Sequence, residues 1–132
     1  MSTSGLDDRT IEKVGGPAWS ELRLTFMKIS ESLLAVSESS RGELTTIYVK
    51  YASDETRSKP FAVVWLRKSS ELTIGLALPD DVASEAFVDM PKGCKYAGLT
   101  RYLVLSADTG VPDEFNEWAS TAFRHVSQLE SD

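Results

Sequence analysis

The residues best suited to chemistry lie in the middle of the chain, around its one cysteine. Cys94 follows Lys92 and Gly93 and precedes Lys95. Positive charge on both sides of a thiol stabilises the thiolate, so this pattern predicts a reactive thiol at Cys94 and allows a thiol-dependent enzyme. The competing interpretation is an incidental loop cysteine, because no second cysteine is present to resolve an oxidised thiol.

A second candidate site combines basic and aromatic side chains of the same region. Aromatic rings among cations are typical of surfaces that bind nucleotides or single-stranded nucleic acid. The competing interpretation is that the rings belong to a sheet core and the lysines are solvated. The set includes Lys59 and Lys68, which we do not assign to the site. Its other members are the predicted ligand- or partner-binding residues: Trp65, Arg67, Lys92, Lys95, Tyr96, Arg101 and Tyr102.

Other catalytic patterns are weak in this sequence. His125 is the one histidine, which excludes most histidine-based metal sites and weakens any catalytic triad. Adjacent carboxylates occur at 7–8, 80–81 and 113–114, in turns and at a helix start, where acidic residues have structural roles. Gly15-Gly16-Pro17 lacks the lysine and the spacing of phosphate-binding loops. We therefore predict no catalytic residue, metal ligand or cofactor.

Composition predicts one globular domain of ordinary make-up. The 132 residues are 42% hydrophobic and 26% charged, which suits a single domain over residues 1–132, with residues 1–6 flexible. The net charge is −6, and an acidic domain repels phosphate backbones. A locally basic surface in the near-neutral middle of the chain would still allow nucleic-acid binding.

The sequence also bears on the cellular compartment. Cys94 has no partner for an intrachain disulfide, and the first residues lack a signal-peptide pattern. No apolar run approaches the ~20 residues that a membrane span requires. We expect a cytoplasmic protein that has no membrane contact.

Both ends of the chain show helical periodicity. Over 17–37, apolar side chains recur at steps of three and four: Trp19, Leu22, Phe26, Ile29, Leu33 and Val36. Pro112, followed by two acidic residues, predicts the first turn of a second helix. The apolar stripe of that helix is Phe115, Trp118, Ala119, Ala122, Val126 and Leu129. A short helical turn is also expected over 7–14.

The middle of the chain predicts strands over 44–52, 61–67, 71–78 and 100–107. The run 61–67 is almost continuously apolar, which indicates a central strand covered on both faces. The irregular stretch 82–99 predicts a long loop with room for a short strand, and loops of this length are often functional. Short links favour antiparallel neighbours. We predict an α+β fold with a single antiparallel sheet of four to six strands and with the N- and C-terminal helices packed on one face.

Several segments resemble a known family. Residues 8–12 (DRTIE) precede a helix, and 48–51 (YVKY) and 60–64 (PFAVV) lead through a lysine-containing hairpin into 72–79. In this order they resemble the uncharacterised bacterial domain family labelled "predicted transport protein", over about 8–126. The family's usual tyrosine near the end is absent, since 121–123 reads TAF. The wider arrangement resembles the YjbR-like and frataxin-like α+β domains. The resemblance implies a fold and no catalytic residue.

The function that we expect from these observations is a non-enzymatic binding or protein-interaction module. Its surface would be the exposed sheet face together with the 82–99 loop. A second copy of the chain would serve as partner, because a strand with two apolar faces needs a cover on each. The alternatives are nucleic-acid or nucleotide binding through the basic and aromatic set, and a thiol-dependent enzyme.

Overall fold

The structure is a computed structural model. It describes residues 19–44, 48–54, 59–66, 71–82, 84–89, 98–106 and 110–131. Two helices, α1 (Trp19–Leu34) and α2 (Phe115–Ser131), flank five strands in the chain order. The strands are β1 (Arg41–Leu44), β2 (Tyr48–Ala52), β3 (Ala62–Leu66), β4 (Glu71–Leu76) and β5 (Arg101–Ser106).

The five described strands form one antiparallel sheet. Their order in space is the order in the chain, β1-β2-β3-β4-β5, so each strand pairs with its sequence neighbour. One row of the register runs from Tyr48 through Trp65 and Thr73 to Val104. The parallel row two residues along holds Lys50, Val63, Gly75 and Tyr102. The predicted α+β class with one antiparallel sheet is confirmed.

Both helices pack on the same face of this sheet, and the main core lies between them and the strands. The predicted stripe of α1 is buried at Leu22, Phe26, Ile29 and Leu33. The stripe of α2 is buried at Phe115, Trp118, Ala119, Ala122 and Val126. The strands contribute alternate residues to this cluster, including Val49, Tyr51, Leu72, Ile74, Leu76, Leu103 and Leu105. The side chains of Trp19 and Leu129 lie outside the described part.

A buried hydrogen bond joins α1 to the sheet. The Tyr51 hydroxyl donates to Ser30 Oγ over 2.9 Å, and both residues are buried. Burial raises the pKa of the Tyr51 hydroxyl above its ordinary value, and the hydrogen bond with Ser30 opposes this to a smaller extent. This contact fixes the position of the middle of α1 over β2.

Some predicted boundaries were wrong. The segment predicted as one strand over 44–52 contains the end of β1 and the whole of β2, which pair with each other. The second helix begins at Phe115 instead of in a turn holding Pro112. Phe115 N donates to the Pro112 carbonyl over 3.0 Å, so residues 112–115 form a tight turn before the helix. The turn predicted over 7–14 lies outside the described residues.

Candidate functional site

The sheet face away from the helices, here called the outer sheet face, carries a second buried cluster. Val63, Trp65 and Tyr102 form it, and Tyr48 and Leu99 pack against it. The ring centroids of Trp65 and Tyr48 are 5.8 Å apart, and those of Trp65 and Tyr102 are 6.3 Å apart. Because side chains alternate along a strand, the register places all of these strand residues on one face.

The rings of Trp65 and Tyr102 meet across β4 because that strand presents Gly75 between them. A Cβ atom at Gly75 would lie 3.2 Å from a ring atom of each aromatic residue and 2.5 Å from Leu99 Cδ1. Glycine therefore leaves the space that the neighbouring side chains fill. Aromatic packing over a strand glycine replaces the contacts that the missing side chain would make.

The structure thus brings two predicted site residues, Trp65 and Tyr102, together, but it buries them. Their exposed fractions are 3% and 6%, so neither ring offers a free face to a nucleobase in this conformation. Both faces of β3 are covered within the single chain. The apolar outer face of β3 therefore requires no partner, although it was the reason for expecting one from the sequence.

Arg101 does not join these two residues. Register places it opposite Leu76, so it alternates with Tyr102 onto the helix side of β5. Its guanidinium donates to three backbone carbonyls: Val82 at 2.9 Å, Thr100 at 3.0 Å and Asp80 at 3.1 Å. These bonds tie the start of β5 to the segment that follows β4, which is a structural role.

The remaining predicted site residues are Arg67, Lys92, Cys94, Lys95 and Tyr96. All five lie outside the described residues, so the reactive thiol and the basic surface stay predictions. The described part of the 82–99 loop includes a β-bridge in which Val88 N donates to the Tyr102 carbonyl over 2.8 Å. Phe87 packs its ring 4.8 Å from that of Trp118, which anchors this segment to α2.

A surface that sequence reasoning missed runs along α1, on the side away from the core. Its apolar members are Leu24, which is 68% exposed, and Met27, which is 46% exposed. Lys28, Glu31 and Ala35 are exposed on the same side. Steps of three and four residues align these five side chains, which we call the α1 stripe, opposite the buried positions Leu22, Ile29 and Leu33.

A cleft of about 440 Å³ adjoins the C-terminal half of this stripe. We call it the helix cleft. The Ser32 hydroxyl lies within hydrogen-bond distance of Asn116 Oδ1 and 3.2 Å from the Lys28 carbonyl, and it can donate to one of them at a time. The cleft is lined by α1 on one side and by the approach to α2 on the other: Lys28, Glu31, Ser32, Ala35, Val111, Pro112, Asp113, Phe115 and Asn116.

The helix cleft can bind a partner through apolar contacts and through charged side chains of both signs. Val111, Pro112 and Ala35 supply apolar walls, and Lys28, Glu31 and Asp113 supply charges of both signs at the cleft. No three histidine, cysteine or carboxylate side chains of the described residues lie close enough together to hold a metal ion. His125, the lone histidine, is half-buried on α2 and does not line the cleft.

Comparisons of the chain with protein-family models, with curated proteins and with solved structures gave no match. The resemblance to the family labelled "predicted transport protein" therefore stays a prediction. In the described part of the chain, neither helix has the length and apolar character needed to cross a bilayer.

Proposed function

We propose that this domain is a non-enzymatic protein-interaction module that binds its partner through the α1 stripe and the helix cleft. The observation that carries the proposal is the exposure of Leu24 and Met27 one helical turn apart. Single exposed apolar residues are common on protein surfaces, but here an exposed apolar pair shares one helix stripe with a cleft, a combination that favours a contact site.

The composition of the α1 stripe also supports a protein partner. Methionine is enriched at protein interfaces, and its flexible thioether adapts to irregular surfaces. Lys28 and Glu31 follow the apolar pair along the stripe and are exposed, so this surface combines apolar and charged side chains, as protein interfaces do. Covering a leucine side chain that is now mostly exposed contributes about 1.5–3 kcal/mol. Two such anchors with a filled cleft would support specific binding.

The test is native mass spectrometry of the full chain, purified gently from its own host. Three forms are compared: the wild type, the double variant Leu24→Gln with Met27→Gln, and the control Val88→Gln. Val88 is 46% exposed and lies far along the chain from α1, so the control removes a comparable exposed apolar side chain elsewhere. Substitutions of this kind at exposed positions change stability little.

We expect the wild type and the Val88→Gln control to carry the mass of a second polypeptide, and the α1 double variant to lose it. Equal retention of that mass by the α1 double variant would refute the proposal. A wild-type chain that carries only small-molecule mass would also refute it and would make the protein a ligand-binding domain.

A further inference from the structure

We infer that the partner at the α1 stripe is a second copy of this chain, packed antiparallel about a twofold axis that runs between the two α1 helices at the height of Ile29 and Ser30. This inference rests on the proposed function and names its partner. An interface between two identical copies must be complementary to itself, because every patch meets the same surface rotated by half a turn. The α1 stripe meets this requirement in both shape and charge.

The shape argument comes from the two ends of the stripe. Leu24 projects at one end, where it is 68% exposed. At the other end the small side chain of Ala35 lines the helix cleft together with Val111. Ala35 directly follows α1, and its N–H donates to the Glu31 carbonyl over 2.9 Å, which continues the helical spacing. Leu24 and Ala35 are equally far from the midpoint, about 16 Å apart along the helix axis. A twofold axis there places each copy's Leu24 opposite its partner's Ala35, so that a projection meets a cleft twice.

The charge argument comes from the centre of the stripe. Lys28 and Glu31 are exposed and lie equally far on either side of the same midpoint. The twofold axis therefore places Lys28 of each copy at the height of Glu31 in the other, across the seam between the helices. Two opposite-charge contacts form, and they fix the register of the pair more than they add affinity. Among the described residues, neither side chain makes a salt bridge within the chain.

An unrelated partner would have to supply a leucine-sized projection, a receptive cleft and both charges in the matching order. A second copy supplies all of them by symmetry. The 16 residues of α1 span about 24 Å. Residues 111–116 widen the contact beyond a single helix, which helps it approach the roughly 800 Å² per partner of a specific interface.

The test is analytical ultracentrifugation of the full chain and of paired charge reversals, from about 1 to 100 µM. In a dimer of Lys28→Glu, residues 28 and 31 of the two copies place four acidic groups at the seam. In a dimer of Glu31→Lys, the same positions place four basic groups there. We expect each single variant to weaken self-association about tenfold or more. Mixing the two variants places opposite charges across the seam again and should restore a mixed dimer. Arg124→Glu and Glu85→Lys are the controls, since both residues are exposed elsewhere, and both should keep the wild-type association.

Two results would overturn the inference: a wild-type chain that stays monomeric throughout, or variants whose mixture associates no better than each one alone. Circular dichroism of each variant checks that the fold is intact. The wild type could instead be monomeric and bind a different polypeptide that the Leu24 and Met27 double variant no longer binds. That result overturns the second-copy inference and leaves the proposed function standing. A monomer that binds no polypeptide through α1 overturns both.

Discussion

At the residue scale, no larger residue fits at position 75 without displacing the side chains that pack over Gly75. In Gly75→Ala, the new Cβ atom would lie 2.5 Å from Leu99 Cδ1 and 3.2 Å from ring atoms of Trp65 and Tyr102. The leucine tip can move, but the two rings are packed on either side. We expect a loss of about 1–2 kcal/mol in the free energy of unfolding, as for other overpacked sites. Urea unfolding followed by tryptophan fluorescence measures it.

The control for this prediction is a double-mutant cycle with Leu99→Ala. Removing the Leu99 methyl groups eliminates the closest contact, so Gly75→Ala should cost less in the Leu99→Ala background than in the wild type. Equal costs in the two backgrounds would show that the Leu99 contact does not limit the size of residue 75.

The buried hydroxyl of Tyr51 gives a second prediction at this scale. Tyr51→Phe removes the 2.9 Å hydrogen bond to Ser30 and should cost about 1 kcal/mol near neutral pH. Ser30→Ala should cost more, about 1–3 kcal/mol, because it leaves the buried Tyr51 hydroxyl without this acceptor. Thermal or urea unfolding of the two variants and of their combination measures both costs and their coupling.

The same residue predicts a pH dependence in alkaline solution. Burial raises the pKa of Tyr51 in the folded chain above the ordinary value of 10.0. The unfolded chain therefore loses this proton first, and stability falls as pH rises above about 10, by up to ~1.4 kcal/mol per pH unit. Urea titrations between pH 9 and about 11 should show a steeper fall for the wild type than for Tyr51→Phe. Parallel curves would mean that Tyr51 ionises as readily in the folded chain as in the unfolded one.

At the element scale, periodicity was enough to predict most of the architecture. The stripes of both helices and the alternation of Leu72, Ile74 and Leu76 depend on local spacing, which the sequence displays directly. β1 was missed because Arg41, Gly42 and Glu43 have no apolar alternation. It is a short edge strand that β2 pairs with, and charged edge strands of this kind avoid further pairing.

The candidate site was less predictable than the fold, for a tertiary reason. Trp65 and Tyr102 lie together in the structure, but sequence does not show that Gly75 lets their rings close over β4 and become buried. Leu24 and Met27 fall off the apolar stripe of α1, which was a usable signal. That signal is weak on its own, because an exposed leucine is common and because the helix cleft depends on where residues 111–116 return to α1.

Arg101 supplies the prediction that belongs to this scale, because it joins two elements. Arg101→Lys keeps the charge, but a single ammonium group cannot reproduce the three hydrogen bonds that the guanidinium donates to the carbonyls of Asp80, Val82 and Thr100. We expect a loss of about 1 kcal/mol in stability and faster amide hydrogen exchange at Val82. Arg124→Lys on α2 is the matched control and should stay within about 0.5 kcal/mol of the wild type. Unchanged exchange at Val82 would contradict a structural role for Arg101.

At the scale of the whole molecule, the centre of the sheet is covered on both faces by one chain. The helices cover one face, and the cluster of Val63, Trp65 and Tyr102 is buried on the other. Folding of the single chain therefore does not depend on a partner at the sheet. Among the described residues, an apolar surface open to association lies on the helix side, where the α1 stripe and the helix cleft adjoin.

A domain that folds alone but associates through α1 has a melting temperature that depends on its concentration. Association stabilises the folded state by mass action, so each tenfold rise in concentration should raise the wild-type Tm by roughly 2–4 °C once the dimer is populated. Lys28→Glu weakens the seam without touching either core, so its Tm should be lower than that of the wild type at high concentration and should rise less over the same concentration range. Differential scanning calorimetry over a hundredfold range, about 2 to 200 µM, measures both slopes. Equal slopes for the two proteins would mean that α1 does not join the copies, because only an interface containing Lys28 predicts the difference.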